Sequence, residues 1–367
     1  MKKIRIFAFG GNEVAPVGLK DKNGKAVNPD IKMQWQRTAG TCKLVADIYE
    51  KHPEDLYVLT HGNGPQVGNI LRRSEICRPS LFGLPLDVCV ADTQGAMSFM
   101  LGQLNNELKT RGFKTIAAGL VTQVVVDKSD PDFKNPSKYI GQSYSREEAE
   151  RRTKENGWKM KLYKKDASGN EIWRRVVPSP VPSDIVEIEA VEAMLEKGII
   201  PITVGGGGVP VCEVKPEKEG GKEVYPCNYE VDFVRKDGVE GPLKVYTGVE
   251  AVIDKDLASA LLGCMLMKRA KARGEDVEVS LTIFTGEDGA KLNYQKPDQV
   301  DLRVMKVSEI EKIYNSKPAP FPAGSMGPKI KAAIEFVKNG GSVAYISKTE
   351  LFEETLAGKA GTTIIPD

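Results

Sequence analysis

Three times along the chain a short apolar run ends in a cluster of glycines and gives way to helix-like sequence. Residues 4–9 lead into Gly10-Gly11-Asn12. Residues 56–59 lead into His61-Gly62-Asn63-Gly64. Residues 199–204 lead into Gly205-Gly206-Gly207-Gly208. Runs that are apolar on both faces predict buried parallel strands rather than half-exposed antiparallel ones. Helices fill the intervals: one over 94–108, another over 184–197, which begins after Pro182 and stops at Gly198. This alternation predicts an α/β fold, a three-layer αβα sandwich with a mainly parallel central sheet.

Two segments break the rhythm. Residues 127–182 carry a helix opened by Ser145 with Glu148 three residues on, a capping box. Glu147/Arg151 and Glu148/Arg152 support that helix at i,i+4. A hairpin over 158–177, turning at Ser168-Gly169-Asn170, is expected to follow. The segment reads as a charged lobe inserted at a strand end, where a lid would sit. Residues 212–246 are rich in Glu, Lys and Gly and poor in apolar residues, and read as a surface insertion of low order. The C-terminal part is more regular. Ser308-Glu309-Ile310-Glu311 is a second capping box. Gly327-Pro328-Lys329 opens a helix whose apolar positions Ile330, Ala333, Ile334 and Val337 keep helical spacing, with Pro328 at its first position. A strand over 343–347, a short helix and a last strand over 362–365 are expected beyond it.

Composition narrows the function. Lys and Arg number 52 against 50 Asp and Glu in 367 residues, so the net charge is only +2. No global field recruits nucleic acid or an acidic membrane, and anions must be bound by local placement of charge. The apolar run ending at Phe9 is too short for a signal-peptide core, and no later stretch is long enough to span a bilayer. The expectation is a cytoplasmic protein. Six cysteines include no C-x-x-C pair and only His52 and His61 are present, which argues against a zinc site and for reduced thiols.

The chemistry must come from glycines and lysines. Glycine turns at strand ends let backbone N–H groups approach a phosphate with no Cβ in the way. Four consecutive glycines weaken a fold unless such close approach is needed. Lys255, inside Asp254-Lys255-Asp256, follows an apolar run, and Lys329 lies in the first turn of its helix, where a cation opposes the helix dipole. An anion between lysine and helix end resolves that conflict. There is no Walker A sequence, since Gly221-Lys222 is followed by Glu223, and no protein-kinase catalytic loop.

These words, in order, resemble those of the carbamate kinase family within the amino-acid kinase superfamily. The resemblance rests on Gly10-Gly11-Asn12, His61 to Gly68, Pro85-Leu86-Asp87, Thr122 to Asp127, Phe133 to Lys138 and Val176 to Pro180. It continues through Gly205 to Pro210, Gly248 to Asp256, Asn293-Tyr294, Lys296-Pro297-Asp298 and Gly324 to Lys329. It implies one amino-acid kinase-like domain over 1–367, with the lid lobe at 127–182 and an extra insertion at 212–246. It implies ATP + carbamate ⇌ ADP + carbamoyl phosphate, run toward ATP in arginine breakdown, with Mg²⁺ as cofactor and a homodimer as the working form. It implies that Gly10, Gly11 and Asn12 hold the transferring phosphoryl group. Gly62, Asn63, Gly64, Gly206, Gly207 and Lys134 would serve phosphate or acceptor. Lys138, Lys255 and Lys329 would neutralise charge, with Asp256 orienting the lysines. Asn293, Tyr294, Lys296 and Met326 would lie near the nucleotide, and no side chain is assigned to the metal.

Against the family pattern, 212–246 is longer than the usual connection, Tyr139 replaces a proline after Lys138, and Glu287-Asp288 add acidic charge after Thr285-Gly286. Two other readings stand beside this one. The first is a superfamily kinase for a carboxylate such as acetylglutamate, against which Lys134 and Lys138 argue. The second is a nucleotide or metabolite sensor without catalysis, against which the full lysine set argues.

Overall fold

The computed structural model describes residues 2–15, 30–166, 168–322 and 324–367. Its centre is an eight-stranded sheet: β1 (Lys2–Phe9), β2 (Leu56–His61), β3 (Ala117–Gly119), β4 (Ile200–Ile202), β5 (Val277–Phe284), β6 (Val304–Lys306), β7 (Val343–Ser347) and β8 (Thr362–Ile365). The spatial order is β6-β8-β7-β5-β1-β2-β4-β3. The six strands from β7 to β3 are parallel. β8 runs antiparallel to β7, and β6 follows β8.

β1 shows why the sheet is buried on both sides. Ile4, Ile6 and Ala8 join one core with the helices Lys255–Ala272 and Met326–Lys338. Phe7 and Phe9 join a second core with the helices Ile31–Lys51 and Leu86–Leu101. Alternate side chains of one strand therefore serve two helical layers. In the second core Phe7, Phe9, Tyr57, Phe284 and Phe352 form a continuous aromatic cluster, with Phe9 stacked on Phe284 at 5.2 Å. That cluster underlies the carboxyl ends of β1 and β5.

A second sheet joins Tyr246–Gly248, Val209–Glu213, Gln123–Val126 and Pro182–Ile185. From it rises a lobe of three antiparallel strands, Lys138–Tyr144, Glu171–Val177 and Met160–Lys165, covered by the helix Arg146–Asn156. The lobe has its own small core of Tyr144, Ala149 and Trp158.

Several local expectations shift. The helix expected over 94–108 starts earlier, at Leu86, and breaks at Gly102 before a separate helix, Leu104–Thr110. The helix expected from 184 begins at Ile188, because Pro182–Ile185 pairs with Gln123–Val126 as a strand. Residues 212–246 are not of low order: Glu217–Glu219, Lys222–Cys227 and Val231–Val234 form an antiparallel sheet. Val224 and Tyr225 are its buried residues while Val231, Phe233 and Val234 stay exposed, so its few apolar residues give no core-facing pattern and composition alone hides the strands. The C-terminal capping box lies two residues earlier, with Glu309 accepting from the Lys306 amide. Met326, not Gly327, opens the last long helix, so Pro328 is its third residue. In the lobe, Ser145 caps its helix as expected, but Arg151 and Arg152 both pair with Glu148.

Candidate active site

Four neighbouring strands end at one cleft of about 480 Å³. Gly10 and Gly11 follow β1, Gly62-Asn63-Gly64 follow β2, Gly206 follows β4, and Thr285-Gly286 follow β5. Ligands of open α/β sheets bind outside the carboxyl ends of the strands. The helices beginning at Gly64, Lys255 and Met326 also start at this rim, so three positive helix ends face the same space.

Lysines arrive from three directions. Lys255 is the first residue of its helix and donates to Asp256 Oδ1. Lys329, on the Met326–Lys338 helix, donates to Asp256 Oδ2 at 3.1 Å. Lys138 reaches down from the lobe, its Nζ 3.3 Å from the Ile253 carbonyl oxygen and 3.8 Å from Asp254 Oδ2. Asp254 caps the Lys255 helix by accepting from the amides of Asp256 and Leu257 at 2.9 and 3.2 Å. Burial acts to raise the Asp256 carboxyl, but the Lys255 and Lys329 ammonium groups override it and hold the group at about 2. Burial draws Lys255 below the ordinary lysine range despite the attraction of Asp256, and the nearby Lys329 charge adds to the lowering.

The opposite wall is backbone. Asn63 is buried, and its Nδ2 donates to Thr93 Oγ1 at 2.7 Å, which fixes the carboxamide. Gly206 adopts φ +66, and a Cβ there would collide with the Asn63 side chain. Gly207, at φ +97, packs against the Ile253 carbonyl and does not line the cleft. The glycine run is thus required first by protein packing, and only Gly206 of its four residues faces the cleft. His61 is wholly buried beside Gly205; burial lowers its imidazole to about 4, so it is neutral at pH 7.

Gly10, Gly11, Gly62, Asn63, Gly64, Gly206, Lys138, Lys255, Asp256 and Lys329 line this one cleft. The side chain of Asn12 lies outside the described part of the structure. Lys134 is exposed on the short Pro131–Lys134 helix and does not line it. Nor do Asn293, Tyr294, Lys296 and Met326. Asn293 bonds Asp298 at 2.7 Å, Tyr294 donates to Glu287 at 2.7 Å, and Met326 packs on the core. The acidic pair after Gly286 is likewise engaged: Glu287 by Tyr294, and Asp288 by Arg303 and the Gly361 amide.

Sequence reasoning missed Asp254 as a partner of Lys138, although an Asp just before a helix is an N-cap signature. It also missed Glu13, which is buried at the cleft and bonds Arg37 at 3.2 Å. Burial raises the Glu13 carboxyl against the pull of Arg37. Its position depends on tertiary packing, and the sequence carries no local sign of it.

An anion-binding cleft built from glycine turns, helix N-termini and convergent lysines is the architecture of an enzyme that moves phosphoryl groups. No family model matches the chain. Curated relatives do. A carbamate kinase of Pyrococcus horikoshii is 39% identical over 365 residues, covering 98% of each chain. One of Thermococcus kodakarensis is 39% identical over 370 residues, covering 100% of this chain and 99% of the relative. Among solved structures, the carbamate kinase of Giardia lamblia bound to AMP-PNP matches with a TM-score of 0.76 and 32% identity, over 100% of this chain and 99% of that one. The chain belongs to the carbamate kinase family.

Proposed function

We propose that this protein transfers a phosphoryl group reversibly between ATP and carbamate, giving ADP and carbamoyl phosphate. The observation that carries the reading is the convergence of Lys138, Lys255 and Lys329 on the cleft walled by Gly10, Gly11 and Gly62–Gly64. A carbamate oxygen attacks the γ-phosphorus, the bond to the β,γ-bridging oxygen breaks, and its electron pair stays on ADP. No proton need move, and among the described residues no histidine lines the cleft. The barrier is repulsion between an anionic acceptor and a polyphosphate, and fixed ammonium groups and amides lower it.

In this reading the amides of Gly10 and Gly11 hold the transferring group, with Asn12 beside them. Gly62, Asn63 and Gly64 hold carbamate, and Gly206 keeps Asn63 in place. Lys255 and Lys329 neutralise the transferring oxygens, and Asp256 orients both. Lys138 closes the cleft from the lobe. The nucleotide runs along Thr285-Gly286 toward Asn293, Tyr294, Lys296 and Met326. Mg²⁺ fits such a site when held chiefly by phosphate oxygens and water. Of the cleft carboxylates, Asp256 is already shared by two lysines, Asp254 caps a helix and Glu13 is bonded by Arg37. When bound, the ion would offset charge on the phosphates.

A cytoplasmic homodimer making ATP in arginine breakdown completes the proposal. No helix among the described residues is long and apolar enough to cross a membrane. Ile116, Val121 and Phe99, all exposed near edge strand β3, supply apolar surface for a second copy. The test is ATP formation from ADP, Mg²⁺ and carbamoyl phosphate, read through hexokinase, with Lys329→Ala as control. Activity that disappears in the variant is the expected result. A folded, ADP-binding protein that makes no ATP would overturn the reading.

A further inference from the structure

The lobe delivers Lys138 but is a separately packed unit, so something must set its angle on the body. Lys138 pairs with Val177 and Ile140 with Arg175 across the two lobe strands. Arg175 moves with the lobe, because its guanidinium lies 4.7 Å over the ring of Trp158, a buried residue of the lobe's own core. Its Nη2 also crosses to the body and donates to Glu250 Oε2 at 2.7 Å. Glu250 uses its other oxygen, Oε1, to accept from the Leu86 amide at 2.9 Å, which ties it to the start of the Leu86–Leu101 helix.

Glu250 also begins the segment that builds the cleft wall. Val252 donates to the lobe's Pro178 carbonyl at 2.9 Å, Ile253 accepts from Lys138, and Asp254 faces Lys138. Beneath these polar contacts Ile140 and Val177 of the lobe pack with Val252, Leu86 and Val67 of the body. Between lobe and body a second cavity of about 560 Å³ is lined by Arg175, Glu250, Trp158 and Tyr229, the last from the 212–246 insertion. Neither Arg175 nor Glu250 lines the cleft.

We propose that Arg175 and Glu250 are a positioning pair that docks the lobe at the angle from which Lys138 reaches the cleft. This rests on the kinase reading above. A partly exposed ion pair adds little to global stability. Its leverage is local: it joins a lobe strand to the segment carrying Ile253 and Asp254, the two residues that receive Lys138. A lobe released from Glu250 keeps its own core and loses a defined position for the lysine.

Glu250→Gln, which retains an acceptor for the Leu86 amide, and Arg175→Met test the pair in the full-length protein. Each is expected to raise the KM for carbamoyl phosphate about three- to fivefold with the KM for ADP unchanged, and the double variant to be no worse than either single one. Arg175→Lys is expected to recover part of the loss. In a Lys138→Ala background Glu250→Gln is expected to have no further effect. An equal effect of Glu250→Gln with and without Lys138, or equal rises in both KM values, would overturn the proposal. Hydrogen exchange reads docking without activity. Faster exchange at 138–144 in Glu250→Gln is expected, and unchanged exchange there would overturn the docking even if the protein used another acceptor.

Discussion

Lys329 Nζ lies 3.1 Å from Asp256 Oδ2, joining the first turns of two helices through residues 73 apart in the chain. Asp256 Oδ1 receives Lys255, so one buried carboxylate holds two ammonium groups at the same cleft. Each lysine sits near a positive helix end, where its charge is unfavourable by itself. Asp256 offsets part of that cost, and in the proposed reaction an incoming phosphate would offset the rest.

Lys255→Ala and Lys329→Ala are each expected to lower kcat for ATP formation by about 10²–10³-fold, the usual cost of one lost charge-stabilising donor. Steady-state rates check this, with ADP binding by calorimetry as the measure of intact folding. Near-normal turnover in either variant would remove that lysine from the mechanism.

Asp256→Asn tests the counter-ion. It leaves two partly buried lysines facing a neutral amide, and unfolding in urea at pH 7 is expected to show a loss of about 3 kcal/mol, the lower end for a broken buried pair. The pH dependence has a definite sign. Asp256 is held at about 2 in the folded protein, below its unfolded value. Its contribution is thus present above the unfolded carboxyl range and is lost as pH falls through about 2. The variant should lose less stability than the wild type between pH 4 and 2; identical acid limbs would show that folding does not lower the Asp256 carboxyl.

His61 carries the opposite kind of linkage. Its folded imidazole titrates at about 4 against an ordinary 6.5, because burial disfavours the cation, and Lys255 adds to the lowering against the Gly62 carbonyl's support. Between those two values the unfolded chain binds a proton that the folded one refuses, so stability falls as pH falls across that window. The difference reaches about 3 kcal/mol at its lower end. Comparing urea midpoints of wild type and His61→Asn at pH 7 and pH 4.5 should show a shallower loss in the variant. Equal slopes would mean that His61 accepts a proton in the folded state.

Gly10, Gly11 and Gly62–Gly64 were legible because glycine clusters after doubly apolar runs allow close backbone approach, but the same pattern misplaced Gly207, whose φ of +97 serves packing against Ile253. β1 and β2 were legible for the same reason: both faces of 4–9 and 56–59 are apolar, apart from Arg5, which is buried against Asp55 at 2.6 Å. What local pattern could not supply was partnership. Residues 182–185 have helix-like neighbours, yet pairing with Gln123–Val126 makes them a strand. The strands of 212–246 were invisible because Glu217–Glu219 and Val231–Val234 are exposed throughout and the two buried residues of Lys222–Cys227, Val224 and Tyr225, are adjacent, so no alternation of core and solvent marks them. Lys134 and Lys138 are four residues apart in sequence, but only Lys138 enters a lobe strand that carries it to the cleft.

Gly206 offers the sharpest test of how the glycine run works. Its φ of +66 penalises any side chain, and a Cβ would displace the Asn63 carboxamide from Thr93. Gly206→Ala is expected to cost about 1–3 kcal/mol in stability through backbone strain. It should also lower kcat/KM for carbamoyl phosphate by about 10²-fold, since small misplacements of a positioning group have that effect. Thr93→Val separates the two causes, for it removes the Asn63 hydrogen bond without adding a Cβ at residue 206. It should raise the KM for carbamoyl phosphate while leaving the KM for ADP unchanged. If Gly206→Ala is inactive but Thr93→Val keeps a normal KM, the glycine acts by admitting substrate directly and not by seating Asn63.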